Sequence, residues 1–376
     1  MSSETTRRTR YDVDRNELGE LLTGEPRFRV DQLWKGLYEQ LGEPAELTTL
    51  PKSLRARLDA ELPAALTTVV ERVNDDGDTV KYLFELPGGS RIETVLMLYP
   101  DRVTVCVSSQ AGCAMGCGFC ATGQAGFTRQ LTTGEIVEQV VRASRKAREL
   151  NRRLANVVFM GMGEPLANEA NVWAAIERIN TDLGLGARHL TVSTVGLVPG
   201  IKRLTEWPMQ VNLAVSLHAA NDSLRDEMVP INRRYPLDML MGACADYLIA
   251  KGRRLSFEWA LIDGVNDRDS DARELAALCR SLPLAAHVNL IPLNPTPGYP
   301  TRGTPLGRVH QFRDRLEELG VNATVRRNRG TDIDAACGQL AAGQPVQPVS
   351  LGRRRDTADV DDNIPDAAHD TAHDTA

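Results

Sequence analysis

Residues 113–120 read CAMGCGFC and place three thiols, Cys113, Cys117 and Cys120, at C-x3-C-x2-C spacing. A structural zinc site needs four ligands, and no histidine precedes His189 in the chain. Three thiolates on one short loop instead suit a [4Fe–4S] cluster whose fourth iron is left open. Three glycines let the backbone bend tightly around such a cluster: Gly112, Gly116 and Gly118. We expect Phe119 to shield one side of the cluster from water.

The rest of the composition is that of an ordinary globular protein. The chain has 376 residues, of which 42% are hydrophobic and 25% charged, enough for one large domain with or without a small one. Its seven cysteines are an odd number and do not suggest a disulfide scaffold. Cys244 and Cys279 lie in apolar helical patterns, so we expect both to be buried small hydrophobic residues.

Charge and hydropathy exclude a few classes of protein. No stretch reaches the roughly 18–20 apolar residues of a membrane helix, and the start, MSSETTRRTR, lacks the apolar run of a secretory signal. We therefore expect a cytoplasmic protein without a membrane partner. The net charge is −6, of which residues 353–376 contribute −4 through three Arg and seven Asp. The near-neutral body does not by itself indicate a nucleic-acid partner, although RRNR at 326–329 precedes the lone Cys337.

Hydrophobic periodicity predicts a helical region before the cysteine loop. Leucines recur at helical spacing in VDQLWKGLYEQL and in PKSLRARLDAEL, within residues 1–65, which we interpret as a small N-terminal helical accessory domain. Between residues 66 and 98 the period changes to two, and short strands alternate with NDDGD and PGGS turns. This segment is expected to form a β-meander that leads into the core domain, residues 99–342. The tail, 343–376, is rich in Asp and Ala and is expected to be disordered.

Strands and helices alternate after the cysteine loop, which predicts an α/β fold with a parallel sheet. The predicted strands are 155–161, 189–194, 210–217, 255–262, 286–291 and 322–327. The predicted helices are 132–149, 170–182, 197–206, 237–251, 269–281 and 306–319. We expect a partial (β/α)6 barrel similar to a TIM barrel, in which site residues lie just after the strands.

The cysteine loop, with an aromatic residue before its last cysteine, resembles the radical S-adenosylmethionine (radical SAM) superfamily. The resemblance implies a single [4Fe–4S] cluster on Cys113, Cys117 and Cys120, with SAM chelating the open iron through its amino and carboxylate groups. An electron from the cluster then splits SAM into methionine and a 5′-deoxyadenosyl radical.

Other motifs at strand ends fit the same cofactor. GMGEPLAN at 161–168 resembles the segment that binds the amino group of SAM and implicates Gly163 and Glu164, although alone it is equally typical of a tight turn. Further polar positions at strand ends are candidates for contacts with the ribose, adenine or carboxylate of SAM. They are Ser193, Ser216, Leu217, His218 and Asn294. Each is weak evidence singly, because a histidine after a strand is more often structural.

The chain more closely resembles the radical SAM enzymes that methylate adenosine C2 in ribosomal and transfer RNA. The resemblance runs to about residue 342, through RIETVLM, VCVSSQAGCAMGCGFCATGQAGFTRQL, GMGEPLAN, VSTVG, SLHA, VNLIPLNP and RGTDIDAACGQL. It implies methylation of adenosine 2503 in 23S rRNA and of adenosine 37 in transfer RNAs. Two alternatives stay open: a related methyltransferase that acts at adenosine C8 and confers antibiotic resistance, and a non-catalytic iron–sulfur or zinc RNA-binding protein.

The chemistry supports a thiol carrier. Adenine C2 is electron-poor and the methyl group of SAM is electrophilic, so simple displacement fails, whereas a thiolate accepts that methyl group readily. The resemblance assigns methyl carriage to Cys337, release of the product to Cys106 and removal of the C2 proton to Glu93. Release would leave a transient Cys106–Cys337 disulfide. Alone, Glu93 is typical of an exposed strand residue.

The resemblance also implies the partners of the reaction. Arg326, Arg327 and Arg329 could hold RNA phosphates. Two equivalents of SAM are expected for each turnover, with an electron donor such as flavodoxin or ferredoxin, and the protein is expected to be a monomer.

Overall fold

The structure is a computed structural model that describes residues 8–294, 296, 299, 302–327, 329–336, 338–340 and 342–343. Among these residues, no helix has both the length and the apolar character needed to cross a membrane. The predicted tail, residues 343–376, lies outside the described part of the chain except for its first residue.

Twelve strands form the sheets of the protein. They are β1 Thr67–Val73, β2 Thr79–Glu85, β3 Arg91–Leu98, β4 Val103–Cys106, β5 Gln110–Gly112, β6 Phe127–Gln130, β7 Leu154–Phe159, β8 Leu190–Thr194, β9 Asn212–Ser216, β10 Leu255–Leu261, β11 His287–Pro292 and β12 Asn322–Val325. Ten of them form one sheet in the order β1-β2-β3-β4-β7-β8-β9-β10-β11-β12, and β5 and β6 form a separate hairpin. All neighbouring pairs from β4 to β12 in the large sheet are parallel.

Eleven α-helices are present in the described residues. They are α1 Arg15–Leu21, α2 Phe28–Tyr38, α3 Lys52–Glu61, α4 Ala121–Ala125, α5 Thr133–Glu149, α6 Glu169–Thr181, α7 Val198–Glu206, α8 Asp222–Met228, α9 Leu237–Lys251, α10 Asp269–Ser281 and α11 Leu306–Glu318. Helices alternate with the parallel strands, as right-handed βα connections require. The predicted α/β fold with a partial barrel is confirmed, and its parallel strands are the six predicted after the cysteine loop together with β4, which precedes the loop.

The antiparallel meander β1–β3 is joined to the barrel through β3 and β4. In this pair Val95 lies opposite Cys106 and Leu96 lies opposite Val105. Because side chains alternate along a strand, Cys106 shares a face with Val95 and Glu93, while Val105 faces the helices. The meander therefore supplies one wall beside the mouth of the barrel.

The N-terminal helices are held against helices α5 and α6. The indole of Trp34 donates a hydrogen bond to Asp182 at 3.0 Å, and Arg178 donates to the carbonyl oxygens of Tyr11 and Asp12. The backbone amide of Gly134, near the start of α5, donates to the carboxylate of Asp12 at 2.7 Å. These bonds fix the small helical unit on the barrel. Its assignment as a separate domain, with boundaries at 65/66 and 98/99, stays a prediction.

Three elements are absent from the sequence-based prediction. The hairpin β5–β6 and the five-residue α4 flank the cysteine loop, and α8 follows β9. Short elements rich in Gly, Thr and Gln lack a clear hydrophobic period, so their pattern does not separate them from loops. Helix α8 is preceded by an N-cap, Asn221, whose side chain accepts the amide of Leu224, and this local signal is visible in NDSLRDEM.

The docking of the N-terminal unit can be tested at Gly134. A Cβ atom there would lie 2.6 Å from the carboxylate of Asp12 and from the hydroxyl of Thr9. We predict that Gly134→Ala lowers the free energy of unfolding by about 1–3 kcal/mol through overpacking. The matched control is Gly242→Ala on α9, where nothing lies within 4 Å. This variant should gain up to about 1 kcal/mol from helix propensity. Equal shifts of the urea unfolding midpoint in both variants would contradict the docking described here.

Candidate active site

The cysteine loop lies between β5 and α4 and is shaped by two left-handed glycines. Gly112 has a φ of +78°, and a Cβ atom there would lie 1.9 Å from the carbonyl oxygen of Gly126. The amide of Cys113 donates to that same carbonyl at 2.8 Å. Gly116 has a φ of +67°, whereas Gly118 does not adopt a positive φ. A close backbone contact and a left-handed φ therefore both require glycine at position 112, whereas at Gly116 the left-handed φ alone favours it, because a Cβ atom there would meet nothing within 4 Å.

A single cleft collects most of the predicted site residues. It opens at the carboxyl ends of the parallel strands and has a volume of about 990 Å³, including the part open to solvent. Its lining includes all three loop cysteines and six predicted cofactor residues: Cys113, Cys117, Cys120, Gly163, Glu164, Ser193, Ser216, His218 and Asn294. The side chain of Leu217 is fully buried and does not line the cleft. Leu217 contributes through its backbone, whose amide donates to the carbonyl oxygen of Glu258 at 3.0 Å.

The three thiols fit an iron–sulfur cluster better than a single ion. Among the described residues, no three His, Cys, Asp or Glu side chains converge closely enough to hold one metal ion. A cluster does not need that convergence, because it places its thiolate ligands at separate corners of a cube. Burial raises the pKa of Cys113 to about 12, and burial also raises the pKa of Cys117, with the other two cysteines adding to the shift. Metal binding must therefore displace protons from these thiols.

Glu164 is held in place by backbone amides. Its two carboxylate oxygens accept hydrogen bonds from the amides of Leu166 at 3.0 Å and Val195 at 2.9 Å, and its own amide donates to Gln110. Burial raises the pKa of Glu164 to about 7, against the opposing effect of these amides. Gly163 has a φ of +101°, and a Cβ atom there would lie 2.5 Å from the side chain of Gln110. The turn is therefore both close-packed and positioned to present a carboxylate to the cleft.

His218 and Phe119 close one side of the cleft. Their rings pack edge to face with centroids 4.7 Å apart, and Phe119 is buried, in the shielding position expected from the sequence. The Nδ1 atom of His218 accepts the amide of Ala260 at 3.0 Å, and burial lowers the pKa of His218 to about 3. The imidazole is therefore neutral and presents an apolar edge and a second ring nitrogen to the cleft.

Arg225 is a functional residue that sequence reasoning missed. It comes from α8 and is fully buried, and burial lowers its pKa to about 10. Its guanidinium donates to the carbonyl oxygens of Leu217 at 3.1 Å and Val195 at 2.6 Å. A further bond at 2.7 Å reaches Asn232. Arg225 thus ties together the ends of β8 and β9, where Ser193 and Ser216 are positioned.

A second cavity adjoins the cleft on the side of the meander. Met160 and Arg326 line both, and the second cavity is also lined by Cys106, Arg327, Arg329, Ala335 and Ala336. Glu93 lies on the same sheet face as Cys106. The sequence-based expectation that Glu93 is exposed is wrong, because Glu93 is only 5% exposed. Its carboxylate is 3.4 Å from the ammonium group of Lys81, and a charge paired in this way tolerates burial.

Arg329 is engaged within the protein. It forms an ion pair with Asp78 and stacks on Tyr99 with its guanidinium carbon 4.4 Å from the ring centroid. Its side chain is only 12% exposed. All three arginines suggested for phosphate binding line this second cavity, and the guanidinium of Arg329 is held there by Asp78 and Tyr99.

The described residues on either side of position 337 lie at the two cavities, with Gly338 at the cleft and Ala336 at the second cavity. The carbonyl oxygen of Gly338 accepts the amide of Ala121 at 2.8 Å, beside the cysteine loop. On the other side, Ala335 and Ala336 line the cavity that contains Cys106. Cys337 itself lies outside the described residues.

Comparison with known proteins agrees with this geometry. Residues 107–276 match the family model of the radical SAM superfamily. A probable dual-specificity RNA methyltransferase RlmN of Chloroflexus aurantiacus is 50% identical over 89% of this chain and 93% of its own length. One from Frankia casuarinae is 51% identical over 93% of this chain and 85% of its own. The crystal structure of a radical SAM methyltransferase from Sphaerobacter thermophilus superposes with a TM-score of 0.86 at 52% identity, covering 89% of this chain and 99% of that one.

The fold and the cysteine-lined cleft define a radical SAM enzyme, which implies a [4Fe–4S] cluster and SAM as cofactors. Cys113, Cys117 and Cys120 would hold the cluster. More narrowly, the chain belongs to the RlmN family of dual-specificity RNA methyltransferases.

The role of Arg225 can be tested by its removal. We predict that Arg225→Met lowers the free energy of unfolding by at least about 3 kcal/mol, because buried carbonyl groups lose charged donors. Arg225→Lys should recover only part of this lost stability, because the single ammonium group of lysine cannot make all the hydrogen bonds of the planar guanidinium group. The control is Arg188→Met, at an exposed position, which should stay within about 0.5 kcal/mol of the wild type. Urea denaturation measures all three, and an Arg225→Met variant as stable as the control would contradict this role.

Proposed function

We propose that this protein methylates C2 of adenosine 2503 in 23S rRNA and of adenosine 37 in transfer RNAs. The proposal is supported by relatives that carry the name dual-specificity RNA methyltransferase at about 50% identity. The observation that carries it is the position of Glu93 and Cys106 on one sheet face, beside the segment that bears Cys337. None of the described contacts favours the C8 methyltransferase or a non-catalytic role.

Cys337 is proposed as the methyl carrier. When bound, the cluster and SAM supply a methyl group and a 5′-deoxyadenosyl radical, with two equivalents of SAM used for each turnover. The Cys337 thiolate takes the methyl group by displacement. The resulting thioether would give up a hydrogen atom to the 5′-deoxyadenosyl radical and add through carbon to C2 of the adenine, which tethers the RNA to the protein. The unpaired electron that the addition leaves on the ring would be taken up by the oxidised cluster.

Glu93 is proposed as the base that removes the C2 proton. Its carboxylate lies 3.4 Å from the ammonium group of Lys81, which gives the buried carboxylate a charged partner. Lys81 also donates to the carbonyl oxygen of Asp334 at 3.2 Å. Lys81 is therefore placed to orient the carboxylate relative to the segment that bears Cys337.

Cys106 is proposed to release the product. Its thiolate would attack the thioether sulfur and leave a Cys106–Cys337 disulfide. The carbon–sulfur bond would break with its electron pair on the methylene carbon, which takes up a proton and becomes the methyl group of the product. A thiol pool can reduce that disulfide again. The floor of the cavity supports such an approach, because Val95 and Met97 pack around Cys106 on the same face and keep the thiol away from bulk water.

Arg326 and Arg327 are proposed to bind the RNA backbone. Both also line a shallow groove with His310 and Arg313 that leads away from the cavity over α11 and β12. Phosphate contacts of this kind fix the register of an RNA without reading its bases. We further propose a cytoplasmic monomer that receives electrons from a flavodoxin or ferredoxin, in keeping with its RNA substrates and thiol chemistry.

The product of the reaction tests the proposed function. Ribosomal and transfer RNA from cells with and without the gene should be digested to nucleosides and analysed by mass spectrometry. We expect 2-methyladenosine to disappear from both RNA classes when the gene is deleted. A loss of 8-methyladenosine instead would replace the C2 assignment by the C8 alternative.

The cysteine roles make a second prediction. Cys337→Ala should abolish methyl transfer while the iron and sulfide content stays normal. Cys106→Ala should trap the RNA covalently, which a denaturing gel detects as a protein–RNA adduct. The matched control is Cys279→Ala, a buried thiol on α10 away from both cavities, which should turn over without an adduct. Normal turnover by Cys106→Ala would exclude the proposed release step.

The role of Lys81 makes a third prediction. Lys81→Met should slow turnover by about 10- to 100-fold, because the ammonium group that pairs with the Glu93 carboxylate and orients it is lost. Deuterium at C2 of the RNA should then produce a larger isotope effect, and Lys81→Arg should restore most of the rate. Lys202→Met, at an exposed position on α7, serves as the control. A slower enzyme with an unchanged isotope effect would make Lys81 merely structural.

A further inference from the structure

Glu258 is a charged residue in the middle of a fully buried strand. It lies in β10, where every residue from Leu255 to Leu261 is buried, and it is only 4% exposed. Phe257 and Trp259 on either side of it pack into the hydrophobic core. Because side chains alternate along a strand, Glu258 points to the opposite side, and together with Ala260 it lines the floor of the cleft.

One oxygen of this carboxylate is already satisfied by the protein. Its Oε1 atom accepts hydrogen bonds from the amide nitrogen of Asn289 at 2.7 Å and from the hydroxyl of Ser256 at 3.1 Å. The orientation of Asn289 is fixed, because its amide oxygen accepts from Thr324 at 3.0 Å. The barrel therefore holds Glu258 in one position.

The other oxygen has no protein partner. Oε2 of Glu258 is buried and makes no hydrogen bond among the described residues. No salt bridge within the described chain reaches this carboxylate. A buried carboxylate oxygen without a partner costs free energy, so its retention in a cleft indicates that a ligand supplies the missing donor.

The position of Glu258 indicates which part of the cofactor supplies the donor. Glu164, at the end of β7, has both oxygens on backbone amides and lies on the side of the cleft nearer the cysteines. Glu258 lies three strands further round the barrel, on β10, roughly 14 Å away at about 4.8 Å for each strand. Its register neighbour on β9 is Ser216. The far end of a SAM molecule that begins at the cysteines is its nucleoside, whose donors include the ribose hydroxyls.

We propose that Glu258 accepts a hydrogen bond from a ribose hydroxyl of SAM through Oε2. Glu258 then selects the ribose and fixes the distance of the nucleoside from the cluster cysteines. This inference rests on membership of the radical SAM family and not on which RNA or which adenine carbon is methylated. Its failure is therefore distinguishable from failure of the proposed function.

The test compares SAM with its 2′-deoxy and 3′-deoxy analogues. Their dissociation constants are measured by equilibrium dialysis with the holoenzyme assembled without oxygen. The wild type should bind one of the two analogues about 10- to 100-fold more weakly than SAM, as expected for a lost hydrogen bond to a charged group. If both analogues bind as tightly as SAM, the proposal is overturned without recourse to any variant.

Glu258→Gln links the effect to this residue. The amide oxygen of the new glutamine can still accept a hydrogen bond from Asn289. In that orientation the amide NH2 group faces the ribose, so the residue offers the ribose hydroxyl a donor instead of an acceptor. The variant should bind SAM about 10- to 100-fold more weakly and no longer discriminate against the deoxy analogue, while iron and sulfide content stay normal. If Glu258→Gln still binds the deoxy analogue more weakly than SAM by the wild-type factor, another residue binds the ribose hydroxyl and the proposal is overturned.

Two further variants serve as a second test and as a control for the SAM-binding measurements. Glu258→Asp keeps the negative charge but moves the carboxylate away from the ribose, so this variant should also lose the preference for SAM over the deoxy analogue. Glu258→Asp takes the place of Glu258→Gln in the test if the latter variant fails to hold iron. Glu274→Gln removes an exposed carboxylate from α10 and should match the wild type for all three ligands. Discrimination that persists in Glu258→Asp would likewise overturn the proposal.

Discussion

The segment from Gly330 to Leu340 is anchored on two sides, and the arrangement of the active site depends on that anchoring. On one side the amide of Ala121 and the hydroxyl of Thr122 donate to the carbonyl oxygens of Gly338 and Leu340, at 2.8 and 2.5 Å. On the other side Lys81 donates to the carbonyl oxygen of Asp334. Each such bond contributes only about 1 kcal/mol net. Together they hold the described neighbours of position 337, Ala336 and Gly338, between the cysteine loop and the meander, which is the placement that the proposed role of Cys337 requires.

The pairing of the meander with the barrel explains why two of the proposed catalytic residues lie together. A barrel alone would leave β4 at the edge of the sheet, with Cys106 open to solvent. The antiparallel pairing of β3 with β4 covers that edge and places Glu93 on the face of Cys106. The hydroxyl of Ser108, just after β4, donates to the carbonyl oxygen of Glu93 on β3 at 2.6 Å, which helps to fix the register of the two strands at Glu93. Lys81 on β2 then offsets the burial of the carboxylate.

Much of the fold was predictable from the sequence because its hydrophobic periods are regular. The helices expected at 170–182 and 269–281 are found at Glu169–Thr181 and Asp269–Ser281. Most of the cleft was predictable from cysteine spacing and from polar residues after strands, a rule that rests on the geometry of parallel sheets. That reasoning locates a residue along the chain but does not say which way its side chain faces, so it could not show that the side chain of Leu217 is buried away from the lining.

The residues that were missed are charged side chains whose partners are distant in sequence. Arg225 lies in the polar stretch NDSLRDEM, which resembles a solvated helix, and only the fold reveals that it binds the carbonyls of two strands. Lys81 alternates with apolar residues and was not distinguished from a solvent-facing lysine. Glu258 gave the clearest signal, a lone acid in the apolar run LSFEWALI, because such an acid requires a partner.

Burial governs the electrostatics of the whole cleft and explains why it suits its cofactors. Desolvation raises the pKa of Cys117 and Glu164 and lowers the pKa of His218 and Arg225, and it is the largest cause of the pKa shift at all four groups. An isolated charge is therefore disfavoured on every group until a partner of opposite charge arrives. Iron provides that partner for the thiols, and the amino group of SAM can provide it for Glu164. The dry cleft that shields a radical from water is thus also what couples cofactor binding to loss of protons from the protein.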